Sequence, residues 1–341
     1  MRRSLLTALC EAPGPPGAEG RVRDIVVPEL ESMCDRVERD PLGGVTGIIE
    51  ADGPTLMFAA HMDEIALMIT HIDDRGYLRV VPLGGWDPRT LISHRVTVHG
   101  REDIPGVVGT TPVHLQDDAA KQRTPRVEDL AIDTGLAPAE VHRLVRQGDV
   151  ATRSRTLEPL GRLLTGKSLD NRVGLFVMLE ALAEPVTPTC RIAAAATVQE
   201  EVGLRGAKVT TTRIAPDVAL AIDVCPTDDG PGGTVSAGTT RIGEGAAIRI
   251  MDASAIASRA LVDLLVDIAE RKDVPYQFHV ANRGGTDTGS IQLAGTGAIA
   301  GCVSIPTRYI HTSVEAVHPD DIAAAITLVG GLKERAHELV T

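Results

Sequence analysis

The sequence predicts an α/β fold: an open sheet covered by helices and interrupted by a β insert. Three observations lead there. Apolar runs of strand length alternate with amphipathic stretches long enough for helices. Hydrophobic residues make up 43% of the 341-residue chain but aromatics only 2%, so the core must be Ala, Val, Ile and Leu. That composition suits a mostly parallel sheet buried on both faces. Between about 70 and 160 the texture changes to short β-type runs punctuated by Gly or Pro, which reads as a small barrel or sandwich.

The elements follow in order. The opening "MRRSLLTALCEAPGPPGAEG" has two arginines and an apolar patch, which superficially resembles a signal peptide. The patch spans only about six residues, short of the apolar region such a peptide carries, and an acidic residue follows it. A short helix ended by the Pro/Gly run is the expectation. A second helix is expected over 18–34, where Val22, Ile25, Val26 and Leu30 recur at helical spacing and Pro28 would bend it. Strands "VTGIIE" and "TLMFAAH" come next, joined by the turn signal "ADGP". Within the insert "YLRVVPL", "RVTVHG" and "GVVGTT" read as strands, and "APAEVHRLVRQ" as one helix.

After "LLTGKSLDNR" the α/β rhythm returns. Helix "RVGLFVMLEALAE" precedes strands "RIAAAATVQ", "DVALAIDV" and "AAIRIM". Helix "ASRALVDLLVDIAERKD", strands "YQFHVA" and "AIAGCVSI", and a closing helix from about 319 to 337 complete the chain.

Composition also excludes function classes. A net charge of -12 offers no basic face to neutralise phosphates, so no nucleic-acid partner is expected. No stretch approaches the roughly 20 apolar residues of a membrane span. Cys10, Cys34, Cys190, Cys225 and Cys302 are odd in number, and no pair has CxxC spacing. Neither a disulfide framework nor a thiolate zinc site is indicated, and a cytoplasmic location fits best.

The informative feature is where acids and histidines fall relative to the strands, because open α/β sheets bind ligands beyond the carboxyl ends of their strands. The run "LMFAAHMDEIALMI" carries His61 and Asp63, two apart and therefore on one face. Asp63 can accept the second N–H of His61 and so orient it. Asp170 in "GKSLDNRVG" precedes a helix, and Glu200 and Glu201 follow an apolar strand in "TVQEEVGLRGA". Asp223 ends the strand "LAIDVC", and His311 follows "AIAGCVSIPT". Each alone has an ordinary explanation, such as a strand-end hydrogen bond, a helix N-cap or a solvated loop acid. Jointly they form two histidines and three carboxylates able to bind two divalent ions, with Glu200 left as general base. Oxygen and imidazole ligands suit zinc, cobalt or manganese.

The same segments give the chain its resemblance to a known family. "AHMDEIA", "VVPLGGWDPRTLISHRVTV", "GKSLDNRVG", "TVQEEVGLRGA", "AIDV", "GGTDTGSIQLAG" and "SIPTRYIHTSVE" occur in the order and at the separations of the M42 metallo-aminopeptidases. The resemblance implies a three-layer, phosphorylase/hydrolase-like catalytic domain over 1–69 and 161–341, with 70–160 as an inserted β-barrel dimerisation domain. It implies that His61 and Asp223 hold one metal ion, Glu201 and His311 the other, and Asp170 bridges. Glu200 would be the catalytic carboxylate and Asp63 the orienter of His61. It further implies a cis peptide at Asp170–Asn171, peptide substrates, and a homo-oligomer: a dodecamer built from dimers with its active sites facing inward.

Other readings stay open. A metal-dependent carboxypeptidase or deacylase would use the same scaffold, and a glycosidase would use paired carboxylates without metal. A non-catalytic scaffold holding metals for assembly would not need Glu200. In "NRGGTDTGS", Gly284 and Gly285 allow close backbone approach, Thr286 could cap a helix, and Asp287 could touch substrate or serve a structural turn. His71, His94, His99, His114, His142, His279 and His337 have no comparable setting and read as ordinary surface or core residues. His318, in "VHPDD", is expected just before the last helix.

Overall fold

A computed structural model describes residues 1–118, 122–185, 189–233 and 239–340. Helices α1 (Arg3–Glu11) and α2 (Gly20–Met33) open the chain. In α1 the side chains of Leu5, Leu6, Leu9 and Cys10 are buried, so the apolar patch near the N-terminus belongs to the core. Helix α2 runs through Pro28 and buries Val22, Val26 and Leu30. Strands β1 (Arg36–Arg39), β2 (Val45–Ile49) and β3 (Thr55–His61) follow.

The chain then leaves the sheet and builds a closed six-stranded barrel in the order β4-β5-β8-β7-β6-β9. Its strands are β4 (Ala66–Ile72), β5 (Leu78–Leu83), β6 (Arg95–His99), β7 (Asp103–Gly109), β8 (Ala131–Asp133) and β9 (Val150–Arg153), with helices α3 (Pro88–Leu91) and α4 (Pro138–Leu144) between them. Burial alternates along β7, one face in and one out, as a barrel strand requires. Leu67, Ile69, Leu78, Val80, Val96 and Val98 fill a core separate from that of the large sheet.

Back in the main domain come β10 (Glu158–Leu160), β11 (Leu163–Gly166), α5 (Leu169–Ala183), β12 (Arg191–Thr197), α6 (Arg205–Ile214) and β13 (Val218–Pro226). The rest comprises β14 (Ala246–Met251), α7 (Arg259–Arg271), β15 (Tyr276–Val280), α8 (Asp287–Leu293), β16 (Ile299–Arg308), β17 (Glu315–Val317) and α9 (Pro319–Arg335). Among the described residues eleven strands form one sheet in the order β1-β2-β12-β3-β13-β16-β17-β11-β10, with β14 attached at β16 and β15 beyond it. The centre is parallel, since β3 pairs in that sense with β12 and β13, and β13 with β16. The margins are antiparallel at β1/β2, β2/β12, β14/β16, β16/β17, β17/β11 and β11/β10. The mostly parallel sheet expected from composition is therefore corrected to a mixed one. Its buried aliphatic strands lie at the centre, and antiparallel neighbours flank them toward the edges.

The period-2 alternation of β3 explains the three layers. Leu56, Phe58 and Ala60 join a core with α1, α2, α5, α7 and α9, while Met57 and Ala59 face Ala207 of α6 and Ile291 of α8. Helix α5 is apolar all round because it lies between the sheet and α1 and α9. Among the described residues no helix is long and apolar enough to cross a membrane. All five cysteines are free.

Candidate metal centre

The parallel strands β3, β12, β13 and β16 point their carboxyl ends the same way, and the chemistry gathers there. His61 is the last residue of β3, and its register partner is Thr197, the last of β12. Three residues beyond, past Gln199 with φ +55°, stand Glu200 and Glu201. Asp223 lies in β13 opposite Ser304 of β16. Beyond β16 the backbone turns through Tyr309 (φ +58°) to His311 (φ +65°). Asp170 sits at the entrance of α5, after Ser168 at φ +58°, and the Asp170–Asn171 peptide is cis. Left-handed non-glycine residues cost energy unless their surroundings hold them, and a cluster of them beside one cavity marks a site built for geometry.

That cavity measures about 520 Å³ and is lined by His61, Asp170, Glu200, Glu201, Asp223 and His311. The two oxygens of Asp170 face opposite ways. Oδ1 is 3.3 Å from Nε2 of His61, and Oδ2 is 3.4 Å from Nε2 of His311. Glu201 is 3.4 Å from the same His311 nitrogen. Around His61 Nε2, an Asp223 oxygen lies at 3.8 Å and a Glu200 oxygen at 3.9 Å. Two ligand triads result, His61–Glu200–Asp223 and Asp170–Glu201–His311, each with its ligand atoms within 4.8 Å of one another.

Both imidazoles are set in the same manner. Nδ1 of His61 donates to the main-chain carbonyl of Asp63 at 3.1 Å, and Nδ1 of His311 to the Gly85 carbonyl at 2.7 Å. A carbonyl only accepts, so Nδ1 carries the hydrogen and Nε2 turns toward the cavity. Asp63 lies behind this wall, fully buried. Its carboxylate is 3.5 Å from Nδ1 of His61, but it also accepts the backbone N–H of Glu200 at 3.0 Å and of Glu201 at 3.1 Å. It thus fixes the acidic turn as well as the histidine.

Burial pushes the carboxyl pKa of Glu200 well up, and the neighbouring Asp223 and Glu201 add to it. Glu201 is raised by burial too. Asp223 reaches about 7 through burial and the nearby Asp170. Burial disfavours charge on His61, yet Glu200, Asp170 and Asp63 outweigh it and raise its pKa well above the ordinary value. The same contest at His311, won by Asp170 and Glu201, lifts it to about 11. Asp170 goes the other way: burial is outweighed by hydrogen bonds from His311 and His61, and its pKa falls. Four crowded carboxylates draw positive charge onto the two imidazoles, a demand that cations bound in the cavity would meet instead. The neighbouring guanidinium of Arg249 is committed to Asp252, Ser304 and the Val224 carbonyl. Glu201 Oε1 is buried with no hydrogen-bond partner among the described residues. These residues fit divalent cations bound through oxygen and imidazole nitrogen.

Some side chains differ from expectation. Gly284 and Gly285 line the cavity. Asp287 instead lies buried, accepting the Thr197 hydroxyl at 2.5 Å and tying β12 to α8. Thr286 occupies the N-cap position of α8 without capping it, because its hydroxyl donates to Asp252 at 3.1 Å. His279, expected to be an ordinary surface or core residue, instead lines the cavity, 4% exposed, with Nδ1 unpartnered among the described residues. Only strand pairing β14/β15 carries it there, so its local sequence held no signal. Glu64, Lys167, Arg172, Arg153 and Glu315 carry no local signal of a role, yet these five charges are buried around the site.

Known proteins agree with this architecture. The M42 glutamyl aminopeptidase family matches residues 43–328. The glutamyl aminopeptidase of Lactococcus lactis subsp. cremoris (strain MG1363) is 35% identical over 335 residues, covering 94% of this chain and 93% of the relative. Among solved structures, aminopeptidase APDkam598 from the archaeon Desulfurococcus kamchatkensis superposes with a TM-score of 0.95 at 40% identity, over 99% of this chain and 96% of that one. The TET1 peptidase of Pyrococcus horikoshii, described as assembling into a tetrahedron or a large octahedral shell, gives 0.88 at 32% identity, over 98% and 99% of the two chains.

Proposed function

Because the chain belongs to the M42 glutamyl aminopeptidase family and is a peptide hydrolase, we propose that it removes N-terminal residues from peptides with two divalent ions and Glu200 as general base. The observation that carries this reading is the convergence of six acidic and imidazole side chains from five separate segments on one cavity wall. His61 and Asp223 would hold one ion and Glu201 and His311 the other, with Asp170, whose two oxygens lie one toward each histidine, shared between them. Zinc is the first expectation, and cobalt or manganese suit the same donors. When bound, such ions lower the pKa of a water and polarise the scissile carbonyl.

The chain's own groups do the rest. Glu200 takes a proton from the attacking water and passes it to the leaving amine. Asp63 keeps Glu200 and Glu201 in place through their backbone N–H groups. The carboxylates receive the substrate's free α-ammonium group, which restricts cleavage to the first residue. The exposed glycines Gly284 and Gly285 let a peptide backbone approach the cavity closely. We take the chain as two units, a main domain and an insert expected over 70–160 whose barrel strands run from Ala66 to Arg153, the insert a dimerisation module in a homo-oligomer. A dodecamer with inward-facing sites, located in the cytoplasm, completes the reading; the closed assemblies described for TET1 support the homo-oligomer.

The test is a panel of aminoacyl-p-nitroanilides with free or acetylated amino groups. It is assayed on chelated protein reconstituted with zinc, cobalt or manganese. Free amino groups should be required and chelation should abolish turnover; cleavage of acetylated substrates would instead support a deacylase. Glu200→Gln should lower kcat by about 10²–10⁴-fold with metal content unchanged. A loss of bound metal in that variant would make Glu200 a ligand instead.

A further inference from the structure

We propose that Glu315, held by Arg153 of the barrel, is a positioning residue that sets metal affinity on the Glu201–His311 side of the centre. This rests on the two-ion reading above.

Glu315 opens β17 and is fully buried. Its two oxygens act on two different ligand segments. Oε2 accepts the backbone N–H of Asp170 and Oε1 that of His311, both at 3.0 Å. One rigid carboxylate therefore fixes how far apart these two residues stand, although they are remote in the chain. Backbone N–H groups buried at a helix entrance or in a left-handed turn need such an acceptor.

The support for Glu315 comes from the barrel. Arg153, the last residue of β9 and 2% exposed, brings Nη2 to 3.7 Å from Oε1 of Glu315. Its guanidinium lies 5.1 Å over the Trp86 ring, and the Trp86 indole N–H is anchored on the Ala66 carbonyl at 2.9 Å. Gly85, next to Trp86, supplies the carbonyl that receives Nδ1 of His311. His311 is thus held from the barrel side twice, by its ring and by its backbone. The His61–Asp223 side takes its support elsewhere. His61 leans on the Asp63 carbonyl, and Asp223 accepts the Val224 N–H at 2.7 Å. A buried ion pair that only stabilised the fold would not distinguish the two sides; this one reaches His311, which serves one side alone, and otherwise only the shared Asp170.

Partners that orient metal ligands are worth about 10–100-fold in affinity. The experiment titrates metal-depleted protein with cobalt(II), follows visible absorption, and records a melting curve on each sample. The unmodified protein should take up two equivalents per chain. Glu315→Gln keeps one acceptor oxygen and turns an amide N–H against a backbone N–H. It should weaken one equivalent about 10–100-fold and the other, reached only through Asp170, clearly less. Weakening of both alike, or of neither, overturns the proposal and leaves the two-ion reading standing. Fewer than two equivalents in the unmodified protein overturns both. Should Glu315→Gln fail to fold, Arg153→Lys decides, since it keeps the charge but loses the planar fork stacked on Trp86. One weakened equivalent supports the proposal, and unchanged uptake sinks it.

Discussion

Glu64 is flanked by site residues yet faces away from the cavity. It accepts Lys167 Nζ at 2.7 Å, the Ser168 hydroxyl at 2.6 Å and the Gly14 N–H at 3.2 Å, with Arg172 at 3.5 Å. Arg172 in turn donates to the carbonyls of Met62, Leu9 and Ala12, so one knot ties β3, the entrance of α5 and helix α1. Burial alone would raise the Glu64 pKa, but Lys167, Arg172 and Arg153 outweigh it and hold it at about 2. A carboxyl lowered from 4.5 to about 2 stabilises the fold fully above pH 4.5, and that gain is lost as pH falls from there toward 2. It amounts to about 3 kcal/mol at 1.36 kcal/mol per pKa unit. Glu64→Gln should cost about 3–5 kcal/mol at neutral pH by leaving buried cations unpaired, and should flatten this acid limb. Denaturant unfolding as a function of pH measures both, and an unchanged limb would refute the assignment. His318 is legible at the same scale: it precedes α9 as expected, and there its ring accepts the Asp320 N–H at 3.2 Å.

At the level of elements, α5 and α9 each carry glycine in the buried face, for opposite reasons. A Cβ on Gly174 would lie 2.1 Å from Asn171 Oδ1 and 2.6 Å from the Ile222 carbonyl, so α5 could not stay seated on β13. On Gly330 it would meet only the far end of the Glu184 side chain, at 2.7 Å, which can swing aside. Alanine gains up to about 1 kcal/mol over glycine in a helix, but overpacking costs about 1–3 kcal/mol. Gly174→Ala should therefore lower Tm, and kcat with it, since Asn171 adjoins Asp170. Gly330→Ala should leave Tm unchanged or raise it. Thermal unfolding of the pair checks the contrast, and a stabilised Gly174→Ala would contradict the seating described.

For the whole molecule, the five segments that carry the six side chains of the centre lie far apart in an unfolded chain and meet only in the folded one. Ions that bind there bind the native state, and each adds about 2.7 kcal/mol of stability at a free concentration 100 times its Kd. Zinc or cobalt should raise Tm in a concentration-dependent way and chelation should lower it, as scanning calorimetry would record. A Tm indifferent to metal would count against the centre as a cation site.

The sequence by itself determined the helices and strands with strong periodicity, the presence of a β insert, and the acids and histidines at strand ends. Each is set by local pattern: Leu56, Phe58 and Ala60 alternate with Met57 and Ala59, and β3 must bury both faces whatever its neighbours. Weakly patterned elements escaped it. The threonine-rich α6 has poor helix propensity and forms because Gly206 and Ala207 seat it on the sheet. The β1, β10, β11 and β17 strands are three or four residues long and exist through their partners. Tertiary structure alone decided that His279 lines the cavity, that Thr286 bonds to Asp252, and that Glu315 joins Asp170 to His311. The physical reason is that a buried polar group must find a partner, and which partner is nearest depends on chain segments that local sequence cannot bring together.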